Sequence, residues 1–85
     1  MNSASKAARL RLRMSTRAEF ERLIFEAMLT PMDEHIIRLY IVNDLSVPII
    51  AMRMAVSEAC VRKHLTEIYE KVAKVIMDPW IQTSV

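Results

Sequence analysis

Apolar residues recur along the chain at the three- and four-residue spacing of amphipathic helices, in four stretches separated by short polar breaks. The first stretch predicts a helix over residues 16–28, because Thr16 followed by Glu19 three residues later matches a capping box. This helix is expected to end near Leu29, since the residue before Pro31 disfavours α-helical geometry. Its apolar positions are Phe20, Leu23, Ile24, Ala27 and Met28.

A second helix is predicted to begin at Pro31. Thr30 is a suitable N-cap, proline suits the first helical position, and Asp33 in the first turn suits the helix dipole. The break is expected at residues 43–44, Asn-Asp. The predicted buried positions of this helix are Ile36, Ile37, Leu39, Tyr40 and Ile41.

The last two helices are predicted to lie close together along the chain. A short third helix is expected to begin at Ser46 or Val47, and its predicted inner face consists of Ile49, Ile50, Ala51 and Met54. Ser57 then caps a fourth helix that is expected to run to about Met77, where residues 78–79, Asp-Pro, stop it. The predicted fold is therefore all-α with four helices. The last three form a tri-helical helix-turn-helix core, and the helix over residues 16–28 is an addition to it.

The charge is unevenly distributed and divides the chain. Residues 1–17 hold five of the twelve basic residues and no acid, whereas the remaining 68 residues carry seven basic and ten acidic side chains. Residues 1–14 are predicted to be a basic flexible arm, residues 15–79 the folded domain and residues 80–85 a tail. A basic arm favours a polyanionic partner, with nucleic acid first and anionic lipid second.

Composition excludes several classes of protein. A chain of 85 residues with 53% hydrophobic side chains fits one small globular domain, and the lack of glycine argues against a β-rich fold. The apolar runs are too short to span a membrane, and no signal peptide is recognisable. Cys60 is the only cysteine, which fits a reducing cytoplasm. Two histidines and one cysteine do not form a closed zinc site, and no catalytic set is recognisable, so we expect no metal, no cofactor and no enzyme.

The third and fourth predicted helices, joined by a tight turn at residues 55–56, match a helix-turn-helix. Ala51 lies where these helices are expected to cross, and Val61 and Leu65 anchor the second helix against the first. Five side chains of the fourth helix should then point outward as one ridge: Glu58, Ala59, Arg62, Lys63 and Thr66. A ridge of this width fits the major groove of DNA.

The stretch "IAMRMAVSEACVRKHLTEIYEKV", residues 50–72, resembles the helix-turn-helix core of the LuxR/GerE class of bacterial regulators. The similar positions are Ile50-Ala51, Met54, Val56-Ser57, Cys60-Val61, His64-Leu65, Ile68-Tyr69 and Lys71-Val72. Upstream, "LTPMDEHIIRL" is similar to the opening helix of that class, so the resemblance covers residues 29–72. It implies a sequence-specific DNA-binding regulator of transcription in a bacterial cytoplasm, or one encoded by a phage or mobile element.

Three departures from the LuxR/GerE pattern matter. The segment from Leu29 to Ala51 is one residue longer than usual, and in this it resembles the region four domain of sigma factors more closely. Cys60 stands where threonine is usual. The helix over residues 16–28 stands in place of the C-terminal helix that LuxR-type domains use to dimerise. The resemblance therefore implies DNA binding without that dimer geometry.

The resemblance implies base-reading roles for Arg62, Lys63 and Thr66, of which arginine is the best reader of guanine. Ser57 is expected to cap its helix and to hydrogen-bond a phosphate. Further candidate DNA-binding residues are Glu58, Ala59, Arg53 and the arm's Arg9, Arg11 and Arg13. The expected partner is double-stranded DNA.

Alternatives remain open at several positions. The protein is either a regulator that reads DNA or a module that binds RNA polymerase or another regulator, and a phage or mobile-element accessory role would also involve DNA. His64 is expected to be packed or to face a phosphate, and Cys60 is either a half-buried residue or a redox sensor. The apolar positions of the helix over residues 16–28 are expected to serve both the core and a homodimer contact.

Overall fold

The computed structural model describes residues 3–77, and these form five α-helices with no strand. The predicted all-α class is confirmed, whereas the predicted number of four helices is wrong. The helices, in chain order, are α1 (Ser3–Met14), α2 (Arg17–Ala27), α3 (Pro31–Ile37), α4 (Val47–Met54) and α5 (Glu58–Met77). The predicted stop at residues 78–79 and the predicted tail at residues 80–85 lie outside the described residues.

The additional helix is α1, which occupies the segment predicted to be a flexible arm. Ser5, Ala8 and Leu12 are buried, and Ala8 and Leu12 lie four residues apart on one face. This face packs against α5. The apolar signal in the sequence was weak because a single leucine and small residues provide the contact, although the arginines around them are themselves good helix formers.

Helix α2 begins as the sequence predicts. The Thr16 hydroxyl accepts a hydrogen bond from the Glu19 amide at 3.2 Å, and Phe20, Leu23 and Ile24 are buried in the core. Met28 adopts left-handed backbone geometry, with φ of 53°, and its side chain is 83% exposed. The core therefore takes up most of the apolar face predicted for this helix. The homodimer contact on the same face stays a prediction. Of the five apolar positions predicted for this helix, Met28 is the one that is exposed.

Helix α3 is followed directly by a π-helical segment, Arg38–Val42. Thr30 caps α3 as predicted, with its hydroxyl accepting from the Asp33 amide at 3.2 Å. The wider turn is closed by a hydrogen bond from the Asn43 amide to the Arg38 carbonyl at 3.1 Å. Of the predicted inner positions, Ile36, Ile37 and Leu39 are buried, and Tyr40 and Ile41 are half-buried against them.

Arg38 ties this segment to α2. Its guanidinium donates to both carboxylate oxygens of Glu21, at 2.5 and 2.8 Å, and to Glu34 at 2.9 Å. Donating to these two carboxylates raises the pKa of Arg38, and accepting from Arg38 in turn lowers the pKa of Glu21. The guanidinium also lies over the Phe20 ring, 5.9 Å from its centroid. Bidentate pairing of this kind fixes orientation as well as charge.

Helix α5 is the central element of the fold, because α1, α2, α3 and α4 all pack against it. Its residues Val61, Ile68 and Val72 are fully buried. No described helix combines the length and the apolar character that crossing a bilayer requires.

Candidate nucleic-acid interface

Helices α4 and α5 are joined by a turn of three residues, 55–57. Ala55 ends α4 in left-handed geometry, with φ of 57°, which is uncommon for a residue other than glycine. Two hydrogen bonds close this end of the helix: the Ala55 amide donates to the Met52 carbonyl at 3.3 Å, and the Val56 amide donates to the Ala51 carbonyl at 3.0 Å. The predicted tight turn is confirmed. This left-handed geometry left no signal in the sequence, because the residues that usually mark it are glycine and asparagine and the residue here is alanine.

The contact between α4 and α5 buries the residues that the sequence predicts. Ile50 and Ala51 are buried on α4, Val61 and Leu65 are buried on α5, and Val56 packs partly against them from the turn. Ile49, which was predicted to face inward, is 37% exposed instead. Position 49 lies about 100° around the helix from position 50, on the side away from buried Ala51, and this places Ile49 at the edge of the buried face.

Ser57 caps α5 as expected. Its hydroxyl accepts a hydrogen bond from the Cys60 amide at 3.1 Å, and Ser57 itself stays exposed. The half-buried position of Cys60 agrees with the simpler of its two interpretations, a small packed residue. The start of α5 is therefore a capped and accessible helix N-terminus, where the backbone dipole favours anions.

All five members of the ridge are exposed: Glu58, Ala59, Arg62, Lys63 and Thr66. Arg62 donates to Glu58 at 3.1 Å, with side chains that are 63% and 48% exposed. An exposed pair four residues apart contributes only about 0.3–0.5 kcal/mol, so Arg62 can leave Glu58 at little cost. The Thr66 hydroxyl donates to the Arg62 carbonyl at 3.0 Å, which anchors that hydroxyl to the backbone.

The remaining predicted basic residues divide into two groups. Arg53 is exposed in the last turn of α4, next to the turn that leads to the ridge. Arg9, Arg11 and Arg13 are exposed on α1 rather than on a free arm. Two of them are already engaged: Arg11 donates to Glu19 at 2.7 Å, and Arg13 lies over the Tyr40 ring, 4.9 Å from its centroid.

Helix α1 lies along the second half of α5, away from the ridge. Ala4 and Ser5 line a surface groove together with Ala73 and Lys74. The charges of Arg13 and Arg9 act on the Tyr69 hydroxyl, which places both near that residue. Tyr69 follows Arg62 by seven residues, or roughly 10 Å along the helix axis. The α1 arginines are therefore separated from the positions predicted to read bases.

His64 is held by a contact that the sequence reasoning missed. Its Nδ1 lies 2.7 Å from Oδ1 of Asp33, a carboxylate that is only 3% exposed in the first turn of α3. The contact joins α3 to α5 across 31 positions of sequence. The prediction that His64 is packed agrees with this environment. The signal available in the sequence was weak, because an acid in a first turn is already explained by the helix dipole.

Comparison with protein-family models, with curated proteins and with solved structures gives no match to this chain.

Proposed function

We propose that this protein is a small sequence-specific DNA-binding regulator of transcription that inserts the ridge of α5 into the major groove. The observation that carries the proposal is the ridge itself. Five exposed side chains follow a capped helix start, and the opposite face of the same turns is fixed by buried Val61 and Leu65. A helix presented in this way can bring its first two turns to base edges.

Each part of the ridge has a role in this proposal. Arg62 pairs with guanine through its two terminal nitrogens after leaving Glu58, and Lys63 contacts a neighbouring base or phosphate. Thr66 offers its methyl group to thymine, because its hydroxyl is bonded to the backbone. Ser57 and the first amides of α5 approach a phosphate, and Arg53 contacts the backbone beside them.

The π-helical segment is compatible with the resemblance to LuxR-type regulators. The sequence has one residue more than usual between Leu29 and Ala51, and a π-turn closes from residue i to i+5, one residue wider than an α-turn. Arg38–Val42 lies inside this segment, and a turn of this width can accommodate one additional residue before α4 begins. The additional residue is a departure from the LuxR/GerE pattern. It is nevertheless compatible with the crossing of α4 and α5 that this pattern predicts.

A second candidate function is a module that binds RNA polymerase or another regulator without reading DNA. The charge distribution favours it, since residues 18–85 carry seven basic and ten acidic side chains. Within the ridge, Glu58 neutralises Arg62, so the free surface of α5 is only weakly basic. A weakly basic surface of this kind suits contact with another protein better than contact with the phosphate backbone of DNA.

Salt-dependent binding to a pool of short random-sequence duplexes separates the two functions. Under the DNA-binding proposal, the logarithm of affinity falls linearly with the logarithm of salt concentration, because cations are released from phosphates. Lys63→Ala should flatten this slope by about 0.9 if Lys63 contacts one phosphate, or lower affinity with an unchanged slope if it contacts only a base.

The matched control is Lys74→Ala, which removes an exposed lysine from the other end of the same helix. It should leave both the slope and the affinity unchanged. Absence of salt-dependent binding by the wild-type protein would contradict the DNA-binding proposal and favour the protein-binding module. Equal effects of the two lysine substitutions would show that DNA binding does not use the ridge.

A further inference from the structure

Asp33, His64 and Glu67 form a compact group of potential metal ligands where α3 meets α5. One ligand atom from each residue lies within 4.8 Å of a ligand atom from each of the others. His64 and Glu67 are three residues apart, which places them on the same face of α5. Asp33 meets this face from α3, and its carboxylate already touches His64 Nδ1 at 2.7 Å.

The three side chains are unequally accessible. Asp33 is 3% exposed, His64 is half-buried, and Glu67 is the most accessible of the three at the surface of α5. Two donors are therefore held in place by the packed contact between helices, and the third is free to adjust as a cation arrives. Ligands carried on rigid elements keep their geometry better than ligands on loops.

The geometry points to a binding site for a divalent transition-metal cation of the zinc type, with Asp33, His64 and Glu67 as its protein ligands. Imidazole together with carboxylates suits Zn²⁺ and similar ions, whereas Mg²⁺ prefers oxygen ligands and its own water shell. Three protein ligands leave at least one position for water, so this is an open site rather than a closed structural one.

The expectation of no metal rested on histidine and cysteine alone. Two histidines and one cysteine cannot close a zinc site, but the fold supplies two carboxylates in their place. The spacing of His64 and Glu67 is visible in the sequence, whereas Asp33 joins them only through the packing of α3 on α5. A cation at this point would fix α3 to α5 beside Lys63 and would stabilise the folded state.

The test is zinc binding to the tag-free full-length chain, measured by calorimetry and by thermal unfolding. We expect one Zn²⁺ per chain and, at about 100 times the dissociation constant, a rise in Tm on the order of 10 °C. Mg²⁺ at the same concentration should leave Tm unchanged. These readouts do not involve DNA. The zinc site can therefore be absent while the proposed function holds, and DNA binding can be absent while the zinc site holds.

Four variants assign the site to these residues. Glu67→Gln removes a ligand from the helix surface without disturbing the core, and it should weaken zinc binding by at least about tenfold, since even partners outside the ligand shell cost 10–100-fold. Asp33→Asn should act in the same direction. His35→Gln and Cys60→Ser remove the other histidine and the only cysteine, and both should retain wild-type binding.

Three results would overturn the assignment. One is the absence of any zinc-dependent rise in Tm in the wild-type protein. Another is wild-type zinc affinity in Glu67→Gln. This variant leaves the core undisturbed, so it remains a valid test even if Asp33→Asn fails to fold. The third is loss of binding in Cys60→Ser or His35→Gln, which would place the cation elsewhere on the surface.

Discussion

The two halves of α5 have similar amphipathic sequences but very different surroundings. The open half, residues 58–66, buries only Val61 and Leu65. The covered half, residues 67–77, buries five residues: Ile68, Tyr69, Val72, Ala73 and Val75. Helix α1 accounts for part of the difference, because it lies along the covered half and does not cover the ridge on the open half.

This contrast shows why basic residues alone do not locate an interface. The arginines of α1 outnumber those of the ridge, yet α1 uses its other face to complete the core, and two of its arginines are engaged with Glu19 and Tyr40. The ridge has fewer cations, but it follows a tight turn and a capped helix start. The surroundings of a charged helix therefore indicate its role better than the number of charges does.

The largest expected effect on stability comes from weakening the packing of α1 against the covered half of α5. Leu12 is buried between α1 and the rest of the core, so Leu12→Ala should lower the free energy of unfolding by about 2–5 kcal/mol. Leu10, two residues earlier on the same helix, is 58% exposed, and Leu10→Ala should stay within about 0.5 kcal/mol of wild type. Urea unfolding measures both. Equal small effects would mean that α1 is a detached arm after all.

A smaller effect on stability is expected from Tyr69, which lies in the half of α5 that α1 covers. Burial, with a smaller contribution from nearby Tyr40, raises the pKa of the Tyr69 hydroxyl to about 12, against an ordinary 10. Between pH 10 and pH 12 the unfolded chain releases this proton while the folded chain keeps it. The free energy of unfolding should therefore fall as pH rises, by about 1.4 kcal/mol at pH 11.

Tyr69→Phe isolates this contribution. Among the described residues the buried hydroxyl has no hydrogen-bond partner, so the substitution should cost little stability at pH 8. The loss of stability from pH 8 to pH 11 should then be smaller in the variant than in wild type by the same 1.4 kcal/mol or so. Equal alkaline losses in the two proteins would mean that Tyr69 is accessible to water and that α1 does not cover this half of α5.

The starts of α2 and α3 and much of the open half of α5 could be predicted from the sequence because their signals are local. Caps at Thr16, Thr30 and Ser57 depend on residues within one turn, and the spacing of Val61 and Leu65 fixes which side chains face outward.

The docking of α1 on the covered half and the contact between α3 and α5 were harder to predict, because both depend on contacts between residues that are distant in sequence. The docking of α1 leaves little local trace, since small residues such as Ala8 occur on exposed and buried helix faces alike. The contact between Asp33 and His64 leaves little trace either, since an acid in a first turn suits the helix dipole whether or not it meets a histidine.

The most direct test of the proposed function is selection of bound duplexes from random-sequence DNA, carried out in parallel with wild type, Arg62→Ala and Arg22→Ala. The control is closely matched, because Arg22 is an exposed arginine on α2 that pairs with Glu26 four residues later, at 3.3 Å, much as Arg62 pairs with Glu58 at 3.1 Å. Neither substitution should disturb the fold.

We expect wild type and Arg22→Ala to enrich the same sequence motif. Arg62→Ala should lose the preference at the position that Arg62 contacts, because one bidentate contact supplies about 1–3 kcal/mol of discrimination. Weaker binding, with the preference at the other positions, should remain, since the phosphate contacts and the other base contacts are unchanged. An identical motif for wild type and Arg62→Ala, or no enriched motif for wild type, would contradict the proposal that the ridge of α5 reads DNA.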